Sequence, residues 1–137
     1  MIIEYKIDMT QSITMNIYAD NILDHYHHPR NSGELKNPDI THKENNPACG
    51  DELSVQLKIK GGTVKDIAWE GTGCAISIGA MSILSEELRG KKTDDILKMS
   101  VDDIIKMLGV PISKRRMKCA TLGLEAVKNA VICSMQK

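Results

Sequence analysis

Phenylalanine is absent from these 137 residues, and Trp69 is the only tryptophan. The core must therefore be aliphatic, with some of the eight methionines filling irregular gaps. No charge of either sign predominates, because 18 basic and 18 acidic side chains cancel. That balance argues against a nucleic-acid or anionic-lipid surface, both of which call for a basic excess. No apolar run approaches the length of a membrane span, and Met1-Ile2-Ile3 meets Glu4 too soon for a signal-peptide core. A cytoplasmic chain that contacts neither nucleic acid nor membrane is expected. Cys-x-x-Cys is also missing, which weakens thioredoxin-like and zinc-ribbon readings. Four cysteines in a reducing compartment are poor disulfide candidates, so each needs its own explanation.

The length suits one domain with a core that needs no staples. Residues 1–16 are mixed, show no clean period, and read as a flexible N-terminal extension to a domain over 17–137. Ile17 to His28 reads as a helix with Ile17, Ile22, Leu23 and Tyr26 along one side, ended by Pro29 and Asn31-Ser32-Gly33. His25, His27 and His28 crowd its last turn, where the helix dipole favours them as caps. A metal role for this cluster is the alternative. Glu34 to Ala48 reads as loop with one short edge strand. Leu53, Val55, Leu57 and Ile59 then alternate with polar residues as a half-buried strand. Gly61-Gly62 turns the chain, and Val64, Ile67 and Trp69 mark the return. Helices follow over Ala75 to Arg89, closed by Gly90, and from Thr93, as the cap, through Met99. Another, capped around Ser100, runs through Leu108 to Gly109 and Pro111, and the last runs from Ser113 towards Cys133.

Asn46-Pro47-Ala48-Cys49-Gly50-Asp51 sets a thiol and a carboxylate two residues apart beside two residues that bend the backbone. Cys74 follows Gly71-Thr72-Gly73, and Cys119 follows a basic run of Lys114, Arg115, Arg116 and Lys118. Three thiols from three segments, with Asp51, would make a four-ligand metal site. A two-residue loop at Gly61-Gly62 pairs residues whose numbers total 123, setting Cys49 opposite Cys74, while Asp51 shares the face of Cys49. Pairing Leu57 with Ile67 and Val55 with Trp69 instead needs a total of 124 and a three-residue loop. That register puts Cys74 opposite Gly50, unless a bulge in Gly71-Thr72-Gly73 re-aims it. Cys133 lies fourteen residues past Cys119, about 21 Å along a single helix, and reads as an inert packed thiol. The basic run opposes the helix dipole, so it serves a site or a partner unless it is simply a solvated face. Beside Cys119 it would favour the thiolate. Structural zinc sites usually use Cys and His without Asp. For an iron–sulfur cluster, a carboxylate is a poorly matched ligand and makes one weak corner.

These motifs resemble the IscU/SufU/NifU-N family of iron–sulfur cluster assembly scaffolds. The match runs through Tyr18, Asp24-His25-Tyr26, Pro29-Arg30-Asn31, Asn46 to Asp51, Gly71 to Ser77, and Lys118-Cys119-Ala120-Thr121-Leu122. The resemblance implies an α+β fold, an α/β sandwich of the SufE/NifU-like type. Its small, mainly antiparallel three-stranded sheet is packed on one face by about five helices. It implies assembly of a labile [2Fe–2S] cluster from iron and from sulfur supplied by a cysteine desulfurase, then delivery to apo iron–sulfur proteins. Cys49, Cys74 and Cys119 would be thiolate ligands, Asp51 the weak carboxylate ligand, and Cys119 the first acceptor of persulfide sulfur. A homodimer around a cluster is compatible with such a site.

Two departures bear on the function. Lys118 stands where the IscU branch has His, as in the SufU branch, and would act by charge. The SufU insertion between the second and third cysteines is missing. A zinc-dependent sulfurtransferase using the same four ligands is therefore the alternative, with a structural zinc module behind it. Gly109-Val110-Pro111-Ile112-Ser113 replaces the IscU stretch read by an Hsp70-type chaperone, which argues against dependence on that chaperone.

Overall fold

A computed structural model describes residues 19–48 and 50–136. The expected extension over residues 1–16 and the side chain of Cys49 lie outside those residues. Helix α1 is seen over residues 19–27 and stops ahead of Pro29. Three strands follow: β1 (Ile40–Asn46), β2 (Asp51–Lys60) and β3 (Thr63–Thr72). They form one antiparallel sheet in the order β1-β2-β3. Four helices complete the chain: α2 (Ala75–Leu88), α3 (Thr93–Lys98), α4 (Val101–Leu108) and α5 (Lys114–Met135).

Period-two alternation gives β2 its two faces. Leu53, Val55 and Leu57 are fully buried, while Ser54, Gln56 and Lys58 are half-exposed on the other side. The buried face, with Ile67 and Trp69 of β3, packs on Met81, Leu84 and Leu88 of α2 and on Leu122, Val127 and Val131 of α5. Each fully buried aliphatic side chain contributes about 1.5–3 kcal/mol. A Cβ on Gly123 would come within 2.8 Å of Met81 Sδ, so a glycine is what lets α5 lie this close to α2.

The hairpin combines both registers read from sequence. Gly61 and Gly62 have φ of 60° and 73°, the left-handed pair that suits a two-residue hairpin turn, and Lys60 pairs with Thr63. A bulge follows between Lys58 and Ile59 on one side and Val64 and Asp66 on the other, and the pairing becomes Leu57 with Ile67 and Val55 with Trp69. The extra residue thus sits beside the turn at Lys65, not in Gly71-Thr72-Gly73 as the sequence suggested. The Val64–Ile67–Trp69 spacing, three and then two, is its trace: Val64 and Trp69 both point inwards only because one residue is skipped between them.

Several ends differ from expectation. The edge strand β1 is seven residues long, more than a short insert in a loop. Thr93 is the first residue of α3 rather than its cap; Lys92 holds that position, and the Thr93 hydroxyl donates to Gly62 O at 3.3 Å. Ser100 does cap α4, in a reciprocal box with Asp103. No helix among the described residues is long and apolar enough to cross a membrane.

Candidate metal centre

The turn from β1 into β2 places the first candidate ligand, Asp51. Asn46 pairs with Asp51, Gly50 has φ of 73°, and its N–H donates to Asn46 O at 2.8 Å. Asn46 Oδ1 accepts from Ala48 N–H at 3.2 Å. With this turn closed, Asp51 opens β2 on the same inward face as Leu53, and only 2% of it is exposed. Cys74 arrives from the partner strand as the residue preceding α2. Its N–H donates to Asp51 Oδ1 at 3.1 Å, and its Sγ lies 4.0 Å from Asp51 Oδ2. Cys119 enters from the second turn of α5, also 2% exposed.

One oxygen of Asp51 and the sulfurs of Cys74 and Cys119 lie within 4.8 Å of one another. That spacing and that mixture of soft thiols with one carboxylate fit a thiophilic ion or a small iron–sulfur cluster. The donors open onto a cavity of about 630 Å³, also lined by Ala48, Gly50, Gly73, Arg115, Arg116 and Lys118. Cys49, between two of those lining residues in the chain, is outside the described residues.

Electrostatics favour anions here. Burial raises the pKa of the Cys74 thiol, but the N–H and hydroxyl of Ser77, the N–H of Ile76 and the Cys119 thiol outweigh it, leaving the group below its ordinary value of 9.0. The start of α2 thus favours the thiolate form of Cys74. Helix α5 begins beside the same cavity with no acidic residue in its first turn. Among the described residues, no ion pair uses Lys114, Arg115, Arg116 or Lys118. Of that run, Arg115, Arg116 and Lys118 line the cavity beside the thiols. Lys118 lines the cavity as a cation, and an ammonium has no lone pair to offer a metal.

The remaining candidates lie elsewhere. Cys133 is half-buried and stays on α5, near its other end. The three histidines do not act together as caps. His25 is buried against α2, its Nδ1 2.7 Å from Ser82 Oγ and its Nε2 3.5 Å from Glu86 Oε1, whereas His27 and His28 are exposed. The residue that sequence reasoning missed is Ser77. It is fully buried, donates to Cys74 O at 3.0 Å and sits 3.7 Å from Cys74 Sγ. A hydroxyl three residues past a cysteine at a helix start is a legible signal for it.

The family described as the NifU-like N terminal domain matches residues 17–137. The chain belongs to that family. Among its relatives, the iron–sulfur cluster assembly scaffold protein IscU 1 of Archaeoglobus fulgidus is 31% identical over 121 residues, covering 88% of this chain and 78% of its own. The zinc-dependent sulfurtransferase SufU of Bacillus subtilis is 35% identical over 132 residues, covering 84% of this chain and 89% of its own. The NifU-like fold is shared with a putative iron–sulfur cluster assembly scaffold protein for the SUF system from Fervidobacterium islandicum. Its crystal structure superposes with a TM-score of 0.74 at 23% identity, over 86% of this chain and 98% of that one.

Proposed function

We propose that this protein is a non-enzymatic scaffold. It builds a labile [2Fe–2S] cluster on Cys49, Asp51, Cys74 and Cys119 and passes it to apo-proteins. The observation that carries this reading is the donor set: two thiols and one buried carboxylate share a single 4.8 Å neighbourhood at a cationic cavity. A closed storage site would be expected to use thiolates throughout, whereas the oxygen of Asp51 supplies a weak corner from which a cluster can leave. The cations that line the cavity, Arg115, Arg116 and Lys118, offset the negative charge of such a cluster and of incoming sulfur. For sulfur delivery, the Cys119 thiolate attacks the outer sulfur of a cysteine desulfurase persulfide. The persulfide S–S bond breaks, the desulfurase cysteine leaves as thiolate, and Cys119 carries the sulfur.

A second reading, zinc-dependent sulfur transfer, is favoured by Lys118 in the cavity and by the relative that bears that description. Length favours the scaffold. The SufU alignment needs 132 positions to cover 84% of 137 residues, about 115, so that relative has stretches without counterpart here. The IscU alignment needs 121 positions for 88%, about 121 residues.

Anaerobic purification separates the two readings. Incubation with iron, cysteine, a desulfurase and a dithiol reductant, which supplies the two electrons that turn each persulfide sulfur into sulfide, should give matched iron and sulfide with visible charge-transfer bands. A colourless protein that retains zinc and takes up only persulfide sulfur would sink the scaffold reading.

A further inference from the structure

Asp51 is held by something other than its neighbouring thiols. Its Oδ1 accepts the backbone N–H of Cys74 at 3.1 Å, while Oδ2 is the oxygen that lies 4.0 Å from Cys74 Sγ. The contact exists because position 73 has no side chain. A Cβ there would come within 2.7 Å of Asp51 Oδ1 and would strike Ser77 Oγ. Gly73 is not among the glycines with positive φ, so space rather than backbone conformation is what requires glycine. Ser77 closes the arrangement from the other side, its hydroxyl donating to the carbonyl of the same Cys74.

We propose that the Cys74 amide, reached across Gly73, is the clamp that keeps Asp51 a one-oxygen ligand. Oδ1 stays on the amide whether or not metal is bound, and Oδ2 alone is presented to the metal. The inference rests on the reading that Asp51 is a ligand, and it assigns the cause of that ligand's weakness. A carboxylate that shares its charge with an N–H is a poorer donor, and it cannot chelate with both oxygens. On leaving the metal it is not stranded as a buried charge without a hydrogen bond, a state that would oppose release. Gly73 is thus a positioning residue, acting through Asp51.

The test is amide hydrogen exchange at Cys74 by NMR on the full chain, metal-free and loaded with zinc alone, with zinc release to a chelator measured in parallel. Exchange at Cys74 should be about tenfold or more slower in wild type than in Asp51→Ala, the weight of one hydrogen bond to a charged group. That protection should persist on zinc loading. If zinc strips the protection to the Asp51→Ala level, the carboxylate leaves the amide to bind and the clamp is overturned. If Asp51→Ala holds and releases zinc as wild type does, Asp51 is no ligand, and the site reading falls together with the clamp. Gly73→Ala should lose the protection and slow zinc release, as both oxygens become available. Faster release from a folded Gly73→Ala protein would overturn the clamp, and the wild-type comparison decides even where that variant does not fold.

Discussion

Cys119 and Cys133 lie fourteen residues apart on one unbroken helix, α5, which sets them about 21 Å apart along its axis. Two thiols so placed cannot serve one small cluster within a chain. Cys133→Ser should therefore leave iron and sulfide loading unchanged and cost about 1 kcal/mol or less, since the side chain is only half-buried. Loading by absorbance and stability by urea denaturation check this. Lost loading in a folded protein would mean that Cys133 serves the cluster of a second copy.

Asp51→Ala tests the weak corner proposed above. A cluster assembled on the variant should pass to an apo-ferredoxin with a half-time about tenfold longer, equivalent to about 1.4 kcal/mol in barrier. An unchanged half-time would take Asp51 out of the release step.

Lys118 lines the cavity but offers no lone pair, so the role proposed for it is through charge. In metal-free Lys118→Met, alkylation of Cys119 should slow about threefold near pH 7, the scale of one screened surface charge. The deficit should close as pH rises and the thiol ionises unaided. Superimposable rate–pH curves would reduce Lys118 to a solvated lysine.

Among the described residues, His25 is a buried titratable group away from the candidate site. Burial and the Arg30 charge hold its pKa below the ordinary 6.5, against the raising pull of Glu86 and Asp24. The folded state thus favours the neutral ring. The unfolded chain takes up this proton first as pH falls, so the stability contributed by His25 is complete above about pH 6.5. It is lost as pH drops from there through the lower folded value. His25→Asn keeps a hydrogen-bonding group near Ser82 and removes the titration. Urea midpoints at pH 7.5 and 5.5 should fall further for wild type than for the variant, and equal falls would assign the acid sensitivity to other groups.

Much of this was legible in the chain because several signals are local. Alternation in Leu53-Ser54-Val55-Gln56-Leu57 gives a strand with a buried face, and Gly61-Gly62 gives its turn. The ligand candidates could be read because thiols are few and each follows a backbone break. The positions that could not be read depend on contacts between distant segments. Nothing around His25 announces that Ser82, 57 residues later, will meet its ring, so the cluster looked like helix capping. Thr93 resembles a cap until Gly62 O takes its hydroxyl. Gly73 reads as part of a bulge that re-aims Cys74, whereas what it provides is room for Asp51 across the hairpin.

The skipped residue beside the turn has a consequence for the rest of the hairpin. It works as slack: the pairs on either side of Lys65, Ile59 with Val64 and Lys58 with Asp66, are consecutive along β2, so Lys65 is extra to the ladder. Deleting Lys65 should close the bulge and leave Leu57 opposite Ile67 and Val55 opposite Trp69. The register that brings Cys74 to Asp51 is held instead by the inward faces of Ile67 and Trp69, which a slip of one position would turn outwards. In a hairpin of this kind, length can vary beside the tip while the candidate site at its base keeps its place.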